Sequence, residues 1–187
     1  DNGNYPYPKK EQVTDYELGY QYTGNNWHAG ANFYYMAYDN QIAQTGQTSD
    51  IGEALTTNIK DSYRMGVELT AGWAPLSWMS VEGNAALSQN KIKDFDEYLG
   101  DHVNHYDKST LAYSPSAILN GFLDFHYQGF NATWHTNFVS KQYVDNSESS
   151  ERQLPSFSQT DINMSYTINL KGCGLKSVKL GLDLDNI

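Results

Sequence analysis

A strict alternation of apolar and polar residues constrains the fold of this chain more than any other feature of its sequence. Between residues 63 and 71 every second position is apolar, as Tyr63, Met65, Val67, Leu69 and Ala71. A period of two is that of a β-strand whose two faces meet different surroundings. The alternation resumes at Met79 after a break at residues 74–77, so this segment predicts an antiparallel hairpin.

Eight stretches of the chain show this period, and they form four successive hairpins. The paired stretches begin near residues 16 and 27, 63 and 79, 119 and 130, and 162 and 178. Their connections are alternately short and long, and the long, polar ones cover residues 43–58, 91–113 and 144–155. In an up-and-down antiparallel sheet this order places every short turn at one end and every long loop at the other.

Aromatic residues gather at the short-turn end of these predicted strands. Trp73 and Trp78 flank one short turn, and Tyr127 and Phe130 flank another. Outer-membrane β-barrels carry such aromatic girdles, with short turns on one side and long loops on the other. A soluble hairpin or β-sandwich also alternates, and it is the alternative that this pattern leaves open.

Composition excludes two other classes of protein. Only 39% of the 187 residues are apolar, and no run approaches the roughly 18 apolar residues of a membrane-spanning helix. The formal net charge of -10 opposes binding to nucleic-acid phosphates. We therefore expect neither a helical membrane protein nor a nucleic-acid partner.

The two faces of the predicted strands suit lipid outside and water inside. None of the eight apolar faces carries a charged residue, as expected where a lysine or arginine would cost about 2–4 kcal/mol at the bilayer midplane. The residues expected to face outward are Val67, Leu69, Val81, Leu123, Trp134, Ile162 and Leu182. The polar residues expected to line the lumen include Arg64, Glu68, Glu82, Asp124 and His126.

The fold class predicted is all-β: an antiparallel, up-and-down transmembrane β-barrel. Eight strands alone close a barrel with room only for packed side chains, and burying so many charges there would be costly unless each were paired, as Arg64 could be with Glu68. A wider barrel avoids that cost. We expect residues 1–187 to supply about eight consecutive strands of it.

Four segments, in order, resemble landmarks in the C-terminal half of the barrel of TonB-dependent outer-membrane receptors. They are residues 11–20 (EQVTDYELGY), 33–42 (FYYMAYDNQI), 64–69 (RMGVEL) and 181–187 (GLDLDNI). The resemblance implies a barrel of twenty-two strands around an N-terminal plug, located in the outer membrane of a Gram-negative cell. It also implies that the plug, the TonB box and the final strand lie outside this chain.

By this resemblance, the complete protein imports a scarce nutrient, such as an iron-siderophore, haem or cobalamin, and is not an enzyme. Its partners are outer-membrane lipid, the TonB complex and a small metal chelate, and no cofactor is implied. Two alternatives remain open: a complete small barrel acting as an enzyme, and a ligand-binding or adhesion barrel without transport.

Candidate ligand contacts are tyrosines near the loop end of the strands, where amphipathic rings can either anchor the membrane interface, the role we favour for most of them, or contact a ligand with a broad face. They are Tyr38, Tyr63, Tyr106, Tyr113 and Tyr143. For the ligand we favour aromatic contacts from Tyr106, Tyr113 and Tyr143 over metal coordination by His102 and His105, which lie in an acidic loop without a predicted scaffold. No metal site and no catalytic residue is predicted, and Cys173, between two glycines, is expected to be a free surface thiol.

Overall fold

One antiparallel sheet dominates the structure, a computed structural model that describes residues 7–99, 102–170 and 174–187, without the side chains of Thr48 and Leu99. Cys173 lies outside these residues. The strands are β1 (Gln12–Thr23), β2 (Trp27–Thr48), β3 (Ala54–Leu76), β4 (Met79–Leu99), β5 (His102–Thr110), β6 (Ala117–Tyr127), β7 (Phe130–Val139), β8 (Gln142–Tyr143), β9 (Gln153–Leu154), β10 (Phe157–Asn169) and β11 (Ser177–Leu184). Within the described ranges, no helix has the length and apolar character needed to cross a membrane.

The strands of the sheet follow one another in chain order. Their sequence across the sheet is β1-β2-β3-β4-β6-β7-β10-β11, every pair is antiparallel, and β5 pairs with the far end of β4. β8 and β9 form a separate two-stranded pair. The predicted all-β, up-and-down architecture with eight consecutive main strands is therefore confirmed. As described, the sheet is open, and β1 and β11 each have one neighbour.

The pairing register gathers the predicted outward residues on one face. Val81 stands opposite Leu123, Leu123 opposite Trp134, and Trp134 opposite Ile162. Val67 and Leu69 pair with Leu87 and Ala85 of β4, and Leu182 pairs with Met164 of β10. Several of these side chains are exposed, and no second sheet covers them in the described structure. This face, called the apolar face below, is therefore not the dry interior of a soluble sandwich.

The predicted lumen residues share the opposite face, called the polar face below. Glu68 stands opposite Asn32, Glu82 opposite Phe122, and Asp124 opposite Thr133. Arg64 pairs with Asn90 in β4, and His126 with Asn131 in β7. Over the residues predicted as alternating strands, a single period of two thus separates charge from apolar surface.

The apolar face has the height of a hydrocarbon layer. On β3 it runs from Tyr63 to Trp73, ten residues apart, which is about 34 Å along a strand at about 3.4 Å per residue. At a strand tilt near 45°, this length projects to about 24 Å, close to the apolar band of about 25 Å in transmembrane barrels. Aromatic residues mark both ends: Trp27 pairs with Trp73 at the short-turn end, and Tyr35 stacks on Tyr63 at the long-loop end.

A two-residue turn joins β6 to β7 and depends on a glycine. Gln128 and Gly129 both adopt positive φ, at 46° and 86°, as a two-residue hairpin turn of the primed type requires. A Cβ on Gly129 would lie 2.7 Å from the carbonyl oxygen of Thr167 on β10. Glycine is thus required both by the turn and by the neighbouring strand.

Two of the three predicted long loops are mostly strand, so that part of the prediction is wrong. Residues 43–58 continue β2 and begin β3, with only residues 49–53 between them, and residues 91–113 hold the end of β4 and all of β5. The apolar residues of these extensions, such as Ile92 and Phe95, do not recur at every second position, so the extensions lack the alternation that identifies a half-buried strand. Residues 144–155 form a connection as predicted, apart from β9.

Candidate functional site

The strand extensions and long connections fold together into one unit. We call this unit the loop assembly and define it as residues 41–59, 91–99, 102–116 and 140–156. Its apolar centre consists of the buried Ala43, Ile59, Ile92 and Phe95, against which Tyr106 and Leu111 pack. The centre draws on β2, β3, β4 and β5, so the two hairpins are packed against each other rather than extending separately into solvent.

A buried charge cluster joins the β4–β5 hairpin to the last connection. The Glu97 side chain is 1% exposed, accepts a hydrogen bond from Arg152 Nη1 at 2.9 Å, and accepts another from the Tyr106 hydroxyl at 3.1 Å. The same Arg152 nitrogen lies 2.7 Å from Asp145 Oδ2. Burial alone would lower the pKa of Arg152, but the contacts with Glu97 and Asp145 outweigh it and raise that pKa above its ordinary value.

Gly46 on β2 makes room for this cluster. Its φ is 86°, and a Cβ at this position would lie 3.1 Å from Glu97 Cγ and 3.2 Å from the Tyr98 carbonyl oxygen. A side chain here would therefore be strained in the backbone and would press on the buried glutamate. The close approach of β2 to β4 depends on this glycine.

Asn146 anchors the last connection at three points. Its Nδ2 donates to the Gln44 carbonyl at 3.1 Å, and its Oδ1 accepts from the Ala112 backbone N–H at 2.8 Å. The Ser109 hydroxyl donates to the Asn146 carbonyl oxygen. Asn146 is 3% exposed and Ser109 is 1% exposed, so these bonds are made away from water and hold the connection against both hairpins.

An ion pair at the edge of the assembly adds a further contact. Lys91 Nζ lies 2.5 Å from Glu148 Oε1 and 2.7 Å from Thr110 Oγ1, and the Thr110 hydroxyl also donates to Glu148. Burial alone would raise the pKa of Glu148, but the hydrogen bonds from Lys91 and Thr110 outweigh it and lower that pKa. The three connections predicted to meet a ligand are thus joined into one ordered body.

The five candidate tyrosines occupy different environments. Tyr113 is 60% exposed, and its backbone N–H donates to the Tyr143 carbonyl at 2.8 Å, so these two lie together at the rim of the assembly. Lys141 Nζ lies 5.6 Å from the Tyr143 ring centroid. Tyr38, on the polar face, carries the Arg64 guanidinium over its ring at 5.4 Å.

The remaining two tyrosines have structural contacts. The Tyr106 ring stacks on Phe95, and burial, followed by the hydrogen bond to Glu97, raises its pKa. Tyr63 is buried and lies on the apolar face, in the same row as Ala37. The assignment of all five to ligand contact stays a prediction, and the structure brings only Tyr113 and Tyr143 together.

The acidic loop with the two histidines forms the tip of the β4–β5 hairpin. His105 Nδ1 lies 2.8 Å from Asp96 Oδ1, and its Nε2 lies 3.7 Å from Asp94 and 3.6 Å from Asp107. His102 stands opposite Leu99 in the register. Among the described residues no group of three or more histidines, cysteines or carboxylates has the geometry to hold a metal ion.

His105 should give the hairpin tip a pH dependence. The hydrogen bond to Asp96 raises the pKa of His105 above the ordinary value of about 6.5, against a smaller opposing effect of desolvation. The attraction between protonated His105 and Asp96 is fully present below pH 6.5 and is lost as the pH rises through the raised pKa of His105. We expect the His105 ring signals in an NMR titration to report this raised pKa, and D96N to bring it back towards 6.5. An unchanged pKa in D96N would contradict this assignment.

On the polar face, the structure shows a hydrogen-bonded row that the sequence did not predict. His135 stacks on Phe122 with ring centroids 4.4 Å apart, and its Nε2 lies 3.3 Å from Asn120 Oδ1. Asn120 also accepts from Asn137 and donates to Asn84 at 2.9 Å. These residues come from three strands, so only the register brings them together.

Among the described residues, the contacts of His135 include no serine, threonine or cysteine. His135 Nδ1 lies 3.7 Å from Asp161 Oδ2, but the contacts of its other nitrogen are with an amide. Asp124 accepts from the Thr133 hydroxyl at 2.6 Å. The possible pair of Arg64 with Glu68 is not formed in the described structure, because the guanidinium lies over Tyr38 instead.

Two open cavities of about 400 and 390 Å³ lie on the polar face. Glycines and small polar side chains line them, together with Glu68 in the first and with Lys179 and Asp183 in the second. Both cavities are open to solvent, so water, a solute or another segment of protein can occupy them.

A family model described as "TonB dependent receptor-like, beta-barrel" matches residues 1–187. No curated protein matches the chain. The chain is similar to several solved structures, of which the copper transporter OprC has a TM-score of 0.74 at 20% identity, over 97% of this chain and 26% of that one.

Two further similar structures are receptors for iron chelates by their titles. A variant of the ferric enterobactin receptor PfeA from Pseudomonas aeruginosa, in complex with enterobactin, has a TM-score of 0.65 at 19% identity, over 95% of this chain and 26% of that one. The ferric yersiniabactin uptake receptor FyuA from Yersinia pestis has a TM-score of 0.61 at 18% identity, over 83% and 22%. The chain therefore spans about a quarter of the length of these structures, and the likeness shows the fold.

Proposed function

The chain belongs to the TonB-dependent receptor-like β-barrel family, and we propose that it forms part of a receptor that imports a metal chelate. The family is located in the outer membrane of Gram-negative bacteria, and its members are receptors and transporters rather than enzymes. In this proposal the sheet is a section of the barrel wall, with its apolar face in lipid and its polar face in the lumen.

The observation that carries the proposal is the loop assembly above the polar face. The first two long connections share one apolar centre, and the third is tied to them by the Glu97–Arg152 ion pair and by the hydrogen bonds of Asn146. A preformed surface binds a ligand with less loss of conformational entropy than separate flexible loops. Such a surface above a polar lumen suits capture of a solute before passage through the barrel.

The similar structures support a metal-containing cargo. By their titles, one transports copper and two are receptors for ferric siderophores. A metal chelate arrives with its metal already held, so the loop assembly needs polar and aromatic contacts rather than its own metal ligands. Energy from TonB and gating by a plug belong to the proposal, since both rest on parts of a receptor outside this chain.

Uptake by cells tests the proposed function. We expect a strain that lacks the complete receptor gene to lose accumulation of one metal-chelate probe among ferric enterobactin, ferric yersiniabactin, haem and cobalamin, under limitation for that nutrient. A plasmid copy should restore it, and loss of the proton-motive force should abolish it. Unchanged accumulation of all four chelates, or loss of copper-ion accumulation alone, would overturn the proposal.

Aromatic contact should matter more than the histidines for this uptake. We expect Y113A/Y143A to weaken the apparent affinity at least about fivefold, because each ring contributes about 0.5–1.5 kcal/mol to a stacked contact. H102A/H105A, a matched pair of loop substitutions, should change uptake less. The measurement is concentration-dependent uptake at equal surface abundance, and the reverse order of effects would contradict the tyrosine assignment.

A further inference from the structure

Two lysines lie over one tyrosine ring near the upper end of β3. The Lys108 Nζ is 5.2 Å and the Lys93 Nζ is 5.7 Å from the ring centroid of Tyr63. The ring is fixed, because its hydroxyl donates to Gln89 Oε1 at 2.9 Å and it stacks on Tyr35 at 6.0 Å. Two positive charges are therefore held within 6 Å of the centre of one fixed ring.

This site lies on the side of the sheet that faces lipid. Tyr63 continues the row of Met65, Val67 and Leu69. Lys93 lies on the neighbouring strand β4, where it pairs with Asp61 of β3, and Lys108 pairs with Lys93 from β5 on the far side of β4. Tyr63 also marks the long-loop end of the apolar face, about 24 Å from Trp73 along the membrane normal. The two ammonium groups are thus at the level where lipid headgroups begin on the long-loop side.

Neither ammonium has a carboxylate partner. In the described ranges, no Asp or Glu oxygen comes within 4.0 Å of Lys93 or Lys108, whereas nearby Lys91 is paired with Glu148. Asp61 stands opposite Lys93 in the register, yet the lysine extends over the ring instead. Two unpaired cations are therefore held on the outward surface of a chain whose net charge is -10.

We propose that Lys93, Lys108 and Tyr63 form a binding site for the phosphate group of an anionic lipid in the outer leaflet. The long connections of outer-membrane barrels lie on the external side, so outer-leaflet lipid is the molecule that meets this surface. A phosphate offers several acceptor oxygens to the two ammonium groups. The acyl chains of the same lipid would lie against Met65 and Val67 below.

The test uses the complete receptor in detergent micelles, titrated with bis-phosphorylated, hexa-acylated lipid A and followed by native mass spectrometry. We expect K93Q/K108Q to weaken binding of the first lipid about 30-fold at low salt, as two lysines near an anionic lipid surface imply. K9Q/K10Q removes the same charge from exposed lysines before β1 and should leave the affinity unchanged. Equal affinities for K93Q/K108Q and K9Q/K10Q would overturn the proposal.

A second variant tests the site by gain of affinity. D61N removes the acidic group opposite Lys93, so it should strengthen lipid A binding, and K93R/K108R should retain it. If K93Q/K108Q fails to fold, the affinity of D61N for lipid A decides between the outcomes. Unchanged or weaker lipid A binding in D61N would overturn the proposal.

Inorganic phosphate distinguishes a lipid headgroup from a soluble ion. We expect 20 mM phosphate, at constant ionic strength, to leave lipid A binding unchanged, because a free ion lacks the acyl contacts. Lipid A without its phosphates should bind as weakly to the native receptor as lipid A does to K93Q/K108Q. Full displacement by inorganic phosphate, with the same dependence on both lysines, would assign the site to a soluble anion and overturn the lipid assignment.

Discussion

Replacing Arg152 by alanine is expected to destabilise the loop assembly by about 1–3 kcal/mol, because it leaves the buried Glu97 carboxylate without its cation, while the 36% exposure of the Arg152 side chain keeps the cost below that of a fully buried ion pair. Glu97 is 1% exposed and would keep only the Tyr106 hydroxyl as a hydrogen-bond donor among the contacts described for it. Because Arg152 also contacts Asp145, one substitution releases the last connection from the β4–β5 hairpin. Hydrogen exchange of the complete receptor, followed by mass spectrometry, should show faster exchange in residues 91–99 and 140–156.

Two controls separate loss of the charge pair from loss of side-chain volume. R152K keeps a positive charge but lacks the planar guanidinium. The stability of its loop assembly should therefore lie between that of R152A and that of the native protein. E97Q/R152A should be less destabilised than R152A, because no charge is then left buried without a partner. Native-like protection in R152A would show that this cluster does not hold the assembly together.

Placing an arginine on the apolar face should reduce folding into the outer membrane. Leu69 lies near the middle of that face, between Tyr63 and Trp73, with Ala31 and Ala85 opposite it. We expect L69R to cost about 2–4 kcal/mol, because a guanidinium at mid-depth must leave water or distort the bilayer. The measurement is the fraction of receptor in the outer membrane that shows the heat-modifiable mobility of a folded barrel.

Thr70 provides the matched control for this substitution. It is the next residue of β3, but it lies on the polar face and lines the cavity of about 400 Å³. T70R adds the same side chain with water in place of hydrocarbon around it, so it should fold to near the native level. Equal losses in L69R and T70R would indicate general intolerance of arginine in β3 rather than contact of Leu69 with lipid.

Preorganisation of the loop assembly links these results to uptake. If the assembly presents Tyr113 and Tyr143 to a ligand, R152A should weaken uptake although Arg152 is not among the proposed ligand contacts. L69R should instead lower the amount of receptor and leave the affinity of the folded fraction unchanged. The two substitutions therefore separate the binding surface from the membrane wall that supports it.

The sequence by itself determined the membrane wall. The period of two identified the eight main strands, and the apolar residues Val67, Leu123, Trp134 and Ile162 lie on one face as predicted. It did so because a strand with lipid on one side and water on the other must alternate at every position. Four short landmarks, each weak alone, also indicated the family that the complete chain matches.

Only the tertiary structure decided how the long connections are built. The extensions of β2, β3 and β4 and the whole of β5 lack apolar residues at every second position, so local sequence could not distinguish them from loops. Glu97 looks like one more acid in a solvated stretch, and it is buried only because Arg152, 55 residues later, reaches it. Tyr106 and Tyr113 likewise appear equivalent in sequence, yet one packs inside and the other is exposed. Contacts between segments so far apart have no local signature, because they arise from packing rather than from the period of any single strand.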